Sequence, residues 1–226
     1  MARTILLADA LSLGDLVTYL GRAGRVEDGS VRLIAGNRVL AVYTAILYPA
    51  GLLDESQTVL GLRTLALEDD ARFDVVVPVR SLLDRLTRAQ EAAGPIGPAP
   101  AITVPTEVST VTWAGISPPR GGWQQTGEIT AGALETAGRQ GIEEVANALP
   151  EGTGEQIVRR VRTEIWGRPV DGMDAVPAGA GFAALTLGFL GEPGERIPVY
   201  EAGAWTRLSS ARGHVLVRRR SWSLLG

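Results

Sequence analysis

Residues 94–101 read Gly94-Pro-Ile-Gly-Pro-Ala-Pro-Ala101, a run in which glycine and proline recur too densely for a helix or a paired strand. This break divides the 226-residue chain and sets what it can fold into. We read an α+β domain over 1–93, a linker or crossing segment over 94–125, and a helical domain over 126–226 that ends in a β-hairpin. The chain has no cysteine, so no disulfide staples either part, and a buried apolar core must hold each together. Hydrophobic residues at 45% and charged residues at 21% suit that demand.

In the first part, Thr4–Ala8 reads as a strand and Leu11–Ala23 as a helix, with Leu13, Leu16, Val17 and Leu20 at helical spacing. Ser30–Ala35 and Arg38–Leu47 read as a hairpin turning at Gly36-Asn37. Strands at Thr58–Leu67 and Phe73–Val79 follow, then a helix over Leu82–Ala92 capped by Ser81. Ile102–Thr112 reads as one more extended segment. In the second part helices are expected over 126–149, 154–166 and 178–190, the last apolar on every side. Strands are expected at Ile197–Glu201, Ala204–Leu208 and His214–Arg219. Three helices and then a β-hairpin is a winged-helix-like order.

The side-chain inventory excludes much chemistry. All 22 basic residues are arginine, which rules out lysine Schiff bases and Walker-type phosphate loops. Without thiols there is no cysteine nucleophile or iron–sulfur cluster, and one histidine, His214, cannot build a multi-histidine metal site. Ser209 and Ser210 stand near His214 in sequence, but no triad spacing accompanies them. The acid pairs Asp54-Glu55, Asp69-Asp70 and Glu143-Glu144 read as solvated charge. No catalytic residue, cofactor or metal is assigned.

Candidate contacts lie elsewhere. Ser117-Pro-Pro-Arg-Gly-Gly-Trp123 offers Arg120 and Trp123, residue types that dominate binding hot spots. From Ala202 onward there are five arginines and no acid. Arg218, Arg219 and Arg220, with Arg159, Arg160 and Arg162 of the 154–166 helix, form a candidate phosphate-binding set. The helix after them has no side chain to read a base edge. Gly179-Ala-Gly181-Phe-Ala-Ala184, with Glu201 beyond, has the outline of a dinucleotide fingerprint, but Gly172–Pro177 before it is a poor strand.

The first 92 residues resemble a half-domain of a DNA sliding clamp in element order: strand, helix, three strands, then Val75-Val-Val-Pro-Val79 leading into Ser81-Leu-Leu-Asp-Arg-Leu86. After the linker the order is not expected to repeat, and the first helix carries only Arg22 and Arg25 near its end, against Asp15. The resemblance therefore brings a fold and no site residue. The whole chain also looks like the uncharacterised proteins of GC-rich actinobacteria, which implies no activity.

The reading that follows is a non-catalytic interaction or assembly protein, homodimeric or with a protein partner. The alternatives are a winged-helix-like nucleic-acid binder, and an enzyme or nucleotide-cofactor binder. The N-terminal apolar run meets Asp9 too early for a signal peptide, and Ala175–Gly191 is too short and too rich in glycine and proline for a membrane span. A cytoplasmic location is expected.

Overall fold

A computed structural model of the chain describes residues 3–49, 51, 54, 56–93, 97–108, 111–150 and 153–218. The fold is α+β. Its contacts form two compact units, residues 1–45 with 62–116, and residues 46–61 with 117–226.

In the first unit β1 (Thr4–Ile5) leads into α1 (Ala10–Val26), then β2 (Ser30–Gly36), β3 (Val39–Leu47), β4 (Thr58–Ala66), β5 (Phe73–Pro78) and α2 (Val79–Ala92). The last residues of β3 and the first of β4 are counted with the second unit. The strands lie in the order β5-β2-β3-β4, and β2 pairs antiparallel with both β3 and β5. Helix α1 starts where Asp9 accepts a hydrogen bond from the Ser12 N–H at 2.6 Å. It buries Leu13, Leu16, Tyr19 and Leu20, while α2 buries Leu82 and Leu86. The buried Tyr19 hydroxyl lies 2.8 Å from Thr44 Oγ1, and burial pushes its pKa up.

Three local expectations change here. Gly36 pairs with Val39, so the hairpin turns at Asn37-Arg38, both at positive φ (54° and 60°). That is the backbone a two-residue hairpin loop requires. Ser81 does not cap α2: β5 runs straight into the helix through Pro78, and the Val79 N–H donates to the Gly29 carbonyl at 3.0 Å. Of the expected extended segment Ile102–Thr112, only β6 (Ile102–Thr103) is a strand among the described residues, antiparallel to β1.

The second unit runs β7 (Gln124–Thr130), α3 (Ala131–Ala148), α4 (Glu155–Gly167), β8 (Pro169–Val170), β9 (Met173–Pro177), α5 (Ala178–Leu187), β10 (Arg196–Ala202), β11 (Trp205–Ser210) and β12 (Gly213–Arg218). Residues 126–130, expected as helix, complete strand β7 against β10, and α3 begins only after Thr130, whose Oγ1 accepts from the Ala133 N–H at 3.2 Å. The β-branched Thr126, Ile129 and Thr130 favour the strand. Gly172–Pro177, judged a poor strand, contains β9, paired with β8. Three helices do precede the terminal strands. The ending is a three-stranded antiparallel meander joined by β7, in the order β12-β11-β10-β7, rather than a lone hairpin.

The order β9-α5-β10-β11-β12 repeats that of β1-α1-β2-β3-β4, strand, helix and three strands. This corrects the expectation that the second part lacks the repeat. The repeat is hidden because β9 is short and α5 has no apolar stripe to set it apart as an amphipathic helix.

Glycine sets the helix packing of this unit. A Cβ on Gly181 of α5 would lie 2.5 Å from the Leu134 carbonyl oxygen of α3, an atom of the backbone that cannot swing aside. Nothing lies within 4 Å of where Gly21 of α1 would carry one. We expect Gly181→Ala to lower stability by about 2–3 kcal/mol through overpacking. Gly21→Ala should raise it by up to about 1 kcal/mol through helix propensity. Denaturant titration of the two variants checks both signs.

Candidate interaction surface

Pairing registers place four side chains in one row across the second unit's strands: Gln125 opposite Tyr200, Tyr200 opposite Arg207, and Arg207 opposite Leu216. The neighbouring row, Val199, Leu208 and Val215, is buried and faces the other way, because successive side chains in a strand alternate. Between Val199 and Tyr200 the register shifts, so that Thr126 is an extra residue in β7. Before β7 the chain turns through Gly122 (φ 76°) and presents Trp123, whose indole N–H donates to the Pro119 carbonyl at 3.0 Å.

Arg207 is the centre of this surface. Its guanidinium carbon lies 4.5 Å from the Trp123 ring centroid and 4.6 Å from that of Tyr200. Both rings offer their electron-rich faces to the cation. The Arg207 Nε is buried without a hydrogen-bond partner, and among the described residues no carboxylate pairs with the guanidinium. Burial lowers its pKa from the ordinary guanidinium value, with the Tyr200 phenol acting in the opposite direction. An uncompensated, half-buried arginine held by two aromatic rings is an unusual thing for a protein to keep.

The sequence-derived candidates are scattered by comparison. Arg120 is exposed in the turn before Trp123, which is itself half-buried. Arg159 forms an ion pair with Glu155 one turn away on α4. Arg160 and Arg162 are exposed on the same helix. At about 100° per residue, Arg159 and Arg162 are near neighbours while Arg160 points well away from Arg162. Arg218 ends β12 opposite Trp205. Arg219 and Arg220 lie outside the described residues. Among the described candidates only Trp123 meets the cluster, and Arg207, counted in the sequence merely as part of a basic tail, was not singled out. Its signal was the alternation of β11, which becomes readable only once the strand registers are known.

Other features resolve into structure. Gly179 and Gly181 fit against Leu47, Trp166 and the α3 backbone, leaving no space at those positions for a pyrophosphate. A cavity of about 340 Å³ lies beside α3, with Gln140, Glu144, Arg168 and Asp171 among its lining residues. Arg168 is ion-paired there with Glu144 and, at 3.2 Å, with Glu164. His214 Nδ1 and Ser209 Oγ are 3.0 Å apart across β11 and β12. Among the described residues no group of acids or histidines could hold a metal ion, and no helix is long and apolar enough to cross a membrane.

Residues 1–108 match the family model described as Domain of unknown function (DUF8010), and residues 118–222 match Domain of unknown function (DUF8185). No curated protein matches the chain. Among solved structures it is similar to a putative DNA polymerase III beta subunit from Eubacterium rectale, at 10% identity and a TM-score of 0.52, covering 98% of this chain and 66% of that one. It is also similar to the pol III beta of Caulobacter crescentus, at 12% identity and a TM-score of 0.51, covering 99% and 67%. A DNA polymerase sliding clamp from Pseudomonas aeruginosa aligns at 15% identity and a TM-score of 0.46, covering 100% and 65%. From the two likenesses above 0.5, the chain resembles the fold of the polymerase III beta subunits, and it spans about two thirds of their length.

If the ring contacts at Arg207 are energetically coupled, a double-mutant cycle will show it. With Trp123→Leu and Arg207→Met, we expect a coupling of about 0.5–2 kcal/mol in unfolding free energy. Additive effects would mean that the two side chains are merely adjacent.

Proposed function

We propose that this chain is a non-catalytic assembly protein that docks a protein partner, a second copy of itself included, on the surface around Trp123, Tyr200 and Arg207. The observation that carries this is the clustering on one patch of a tryptophan, a tyrosine and an arginine with no carboxylate partner among the described residues. These are the residue types that supply most binding energy in protein interfaces. The patch adjoins β7, the last strand in the order β12-β11-β10-β7, whose Gln124, Gln125 and Thr126 are exposed. A terminal strand offers unpaired backbone groups to a partner.

The sliding-clamp likeness supports an assembly role, since the proteins that share the fold are named as polymerase subunits and clamps. The charge of the helices favours protein over nucleic acid as the ligand. Helix α3 carries Glu135, Glu143 and Glu144 against Arg139, and α1, α2 and α4 each carry only one more arginine than acid. Such helices do not make the basic track that a phosphate backbone needs. Cytoplasmic residence fits this role.

Light scattering and sedimentation test the proposal. At about 50 µM we expect a self-associated species, since weak transient contacts fall in the micromolar range. Trp123→Ala should shift it toward monomer without lowering helix content. A chain that stays monomeric and unchanged by this substitution would remove self-association from the reading. Steeply salt-dependent retention of duplex DNA would favour the nucleic-acid alternative.

A further inference from the structure

We propose that the Arg207 surface is a receptor for a carboxylate, and that the segment it takes from its partner is an extended acidic peptide. This rests on the docking surface proposed above and specifies its ligand. The reasoning starts from the guanidinium. Two rings fix its position, its Nε is buried without an acceptor, and no acid among the described residues neutralises it. A planar, pre-positioned guanidinium without a carboxylate partner among the described residues offers its two terminal nitrogens as parallel donors to a carboxylate, while the buried Nε stays behind the rings. Since the rings already restrict its rotamers, little further ordering is needed when a ligand arrives.

Phosphate would satisfy the same donors, but the surroundings favour a peptide. The adjoining β7 presents a strand edge that can hydrogen-bond another extended backbone, which a nucleotide lacks. In such a pairing alternate side chains reach the same face, so an acid every second residue puts its carboxylates on the face that carries Arg207.

The test is a nitrogen-15 NMR titration of the full chain, following the Arg207 Nε–H signal, assigned by its loss in Arg207→Lys. The probes are a short capped peptide of alternating valine and glutamate, the same peptide with glutamine, inorganic phosphate, and single-stranded oligothymidylate. We expect saturable movement with the glutamate peptide and binding weaker by about tenfold or more for the glutamine peptide, as a charge-assisted hydrogen bond requires. Arg207→Gln should erase that preference, and Arg207→Lys, which keeps charge without the fork, should retain part of it. Unchanged amide spectra establish that either variant is folded. Equal binding of the two peptides, a preference that survives Arg207→Gln, or tighter binding of phosphate or oligothymidylate would overturn the proposal. If the preference is absent while Trp123→Ala still breaks self-association, the docking surface stands and its acidic ligand does not. The reverse result retains the receptor and discards self-association.

Discussion

Helices α3 and α5 meet backbone to backbone. A Cβ on Gly138 would stand 3.0 Å from the Gly181 carbonyl, and one on Gly181 would crowd the Leu134 carbonyl. Close by, the Trp166 ring fills the space that a side chain on Gly141 would take and stacks on Phe182 at 4.5 Å. This packing holds α5 buried along Gly179, Ala180, Gly181, Ala183 and Ala184. The helix then stops at Gly188, which adopts a left-handed conformation (φ 72°), and Phe189 settles over Gly213 at the start of β12. The chain therefore leaves α5 in a fixed direction before it forms the meander. Which row of the meander is buried follows from that anchoring, and the row holding Tyr200 and Arg207 is committed to the opposite face. The candidate surface is thus a consequence of glycine contacts made on the far side of the sheet.

How legible this was in the sequence depended on whether the controlling interaction was local. Helix α1 was readable because its apolar spacing and Asp9 cap are local signals. The β2–β3 hairpin was readable to within a residue for the same reason. Strand β7 was read as helix at its end because its partner, β10, lies about seventy residues further on, and the pairing leaves no trace in the spacing of Gln124–Thr130. At α5 the small residues gave the outline of a fingerprint whose glycines turn out to serve close packing, and β9 before it was missed, since a five-residue strand ending in proline carries little periodic signal. The candidate site suffered most. Trp123 stood out by residue type, whereas Arg207 gained its meaning from Tyr200 across one pairing and Trp123 beyond the next strand.

An arginine in this state is costly. Its buried Nε gives up hydration without a replacement acceptor, and attraction to two rings recovers only part of the loss. Elsewhere the chain neutralises its arginines readily: Arg32 forks onto Asp74 with bonds of 2.8 and 2.7 Å, and Arg63 reaches Asp15 at 2.6 Å. Those pairs show what the sequence builds when a guanidinium serves structure. Arg207 departs from that habit, and its neighbours are rings that orient a charge without cancelling it.

The same contrast bears on what the clamp-like fold does here. A fold shared at 10–12% identity fixes the path of the backbone and leaves the surface to the individual sequence. A surface that tracks nucleic acid needs many cations spread along a face, so that each phosphate finds one and the sum survives physiological salt. This chain has instead paired Arg32, Arg63 and Arg196 with acids, and Arg207 stands on a small aromatic patch. A single fixed cation gains little from a long polyanion, because only one phosphate finds a partner there. Against one carboxylate carried on a backbone that can also pair with a strand edge, charge and backbone hydrogen bonds act together. The arrangement therefore discriminates by geometry, and it does so on a scaffold that leaves the choice of ligand to a few side chains.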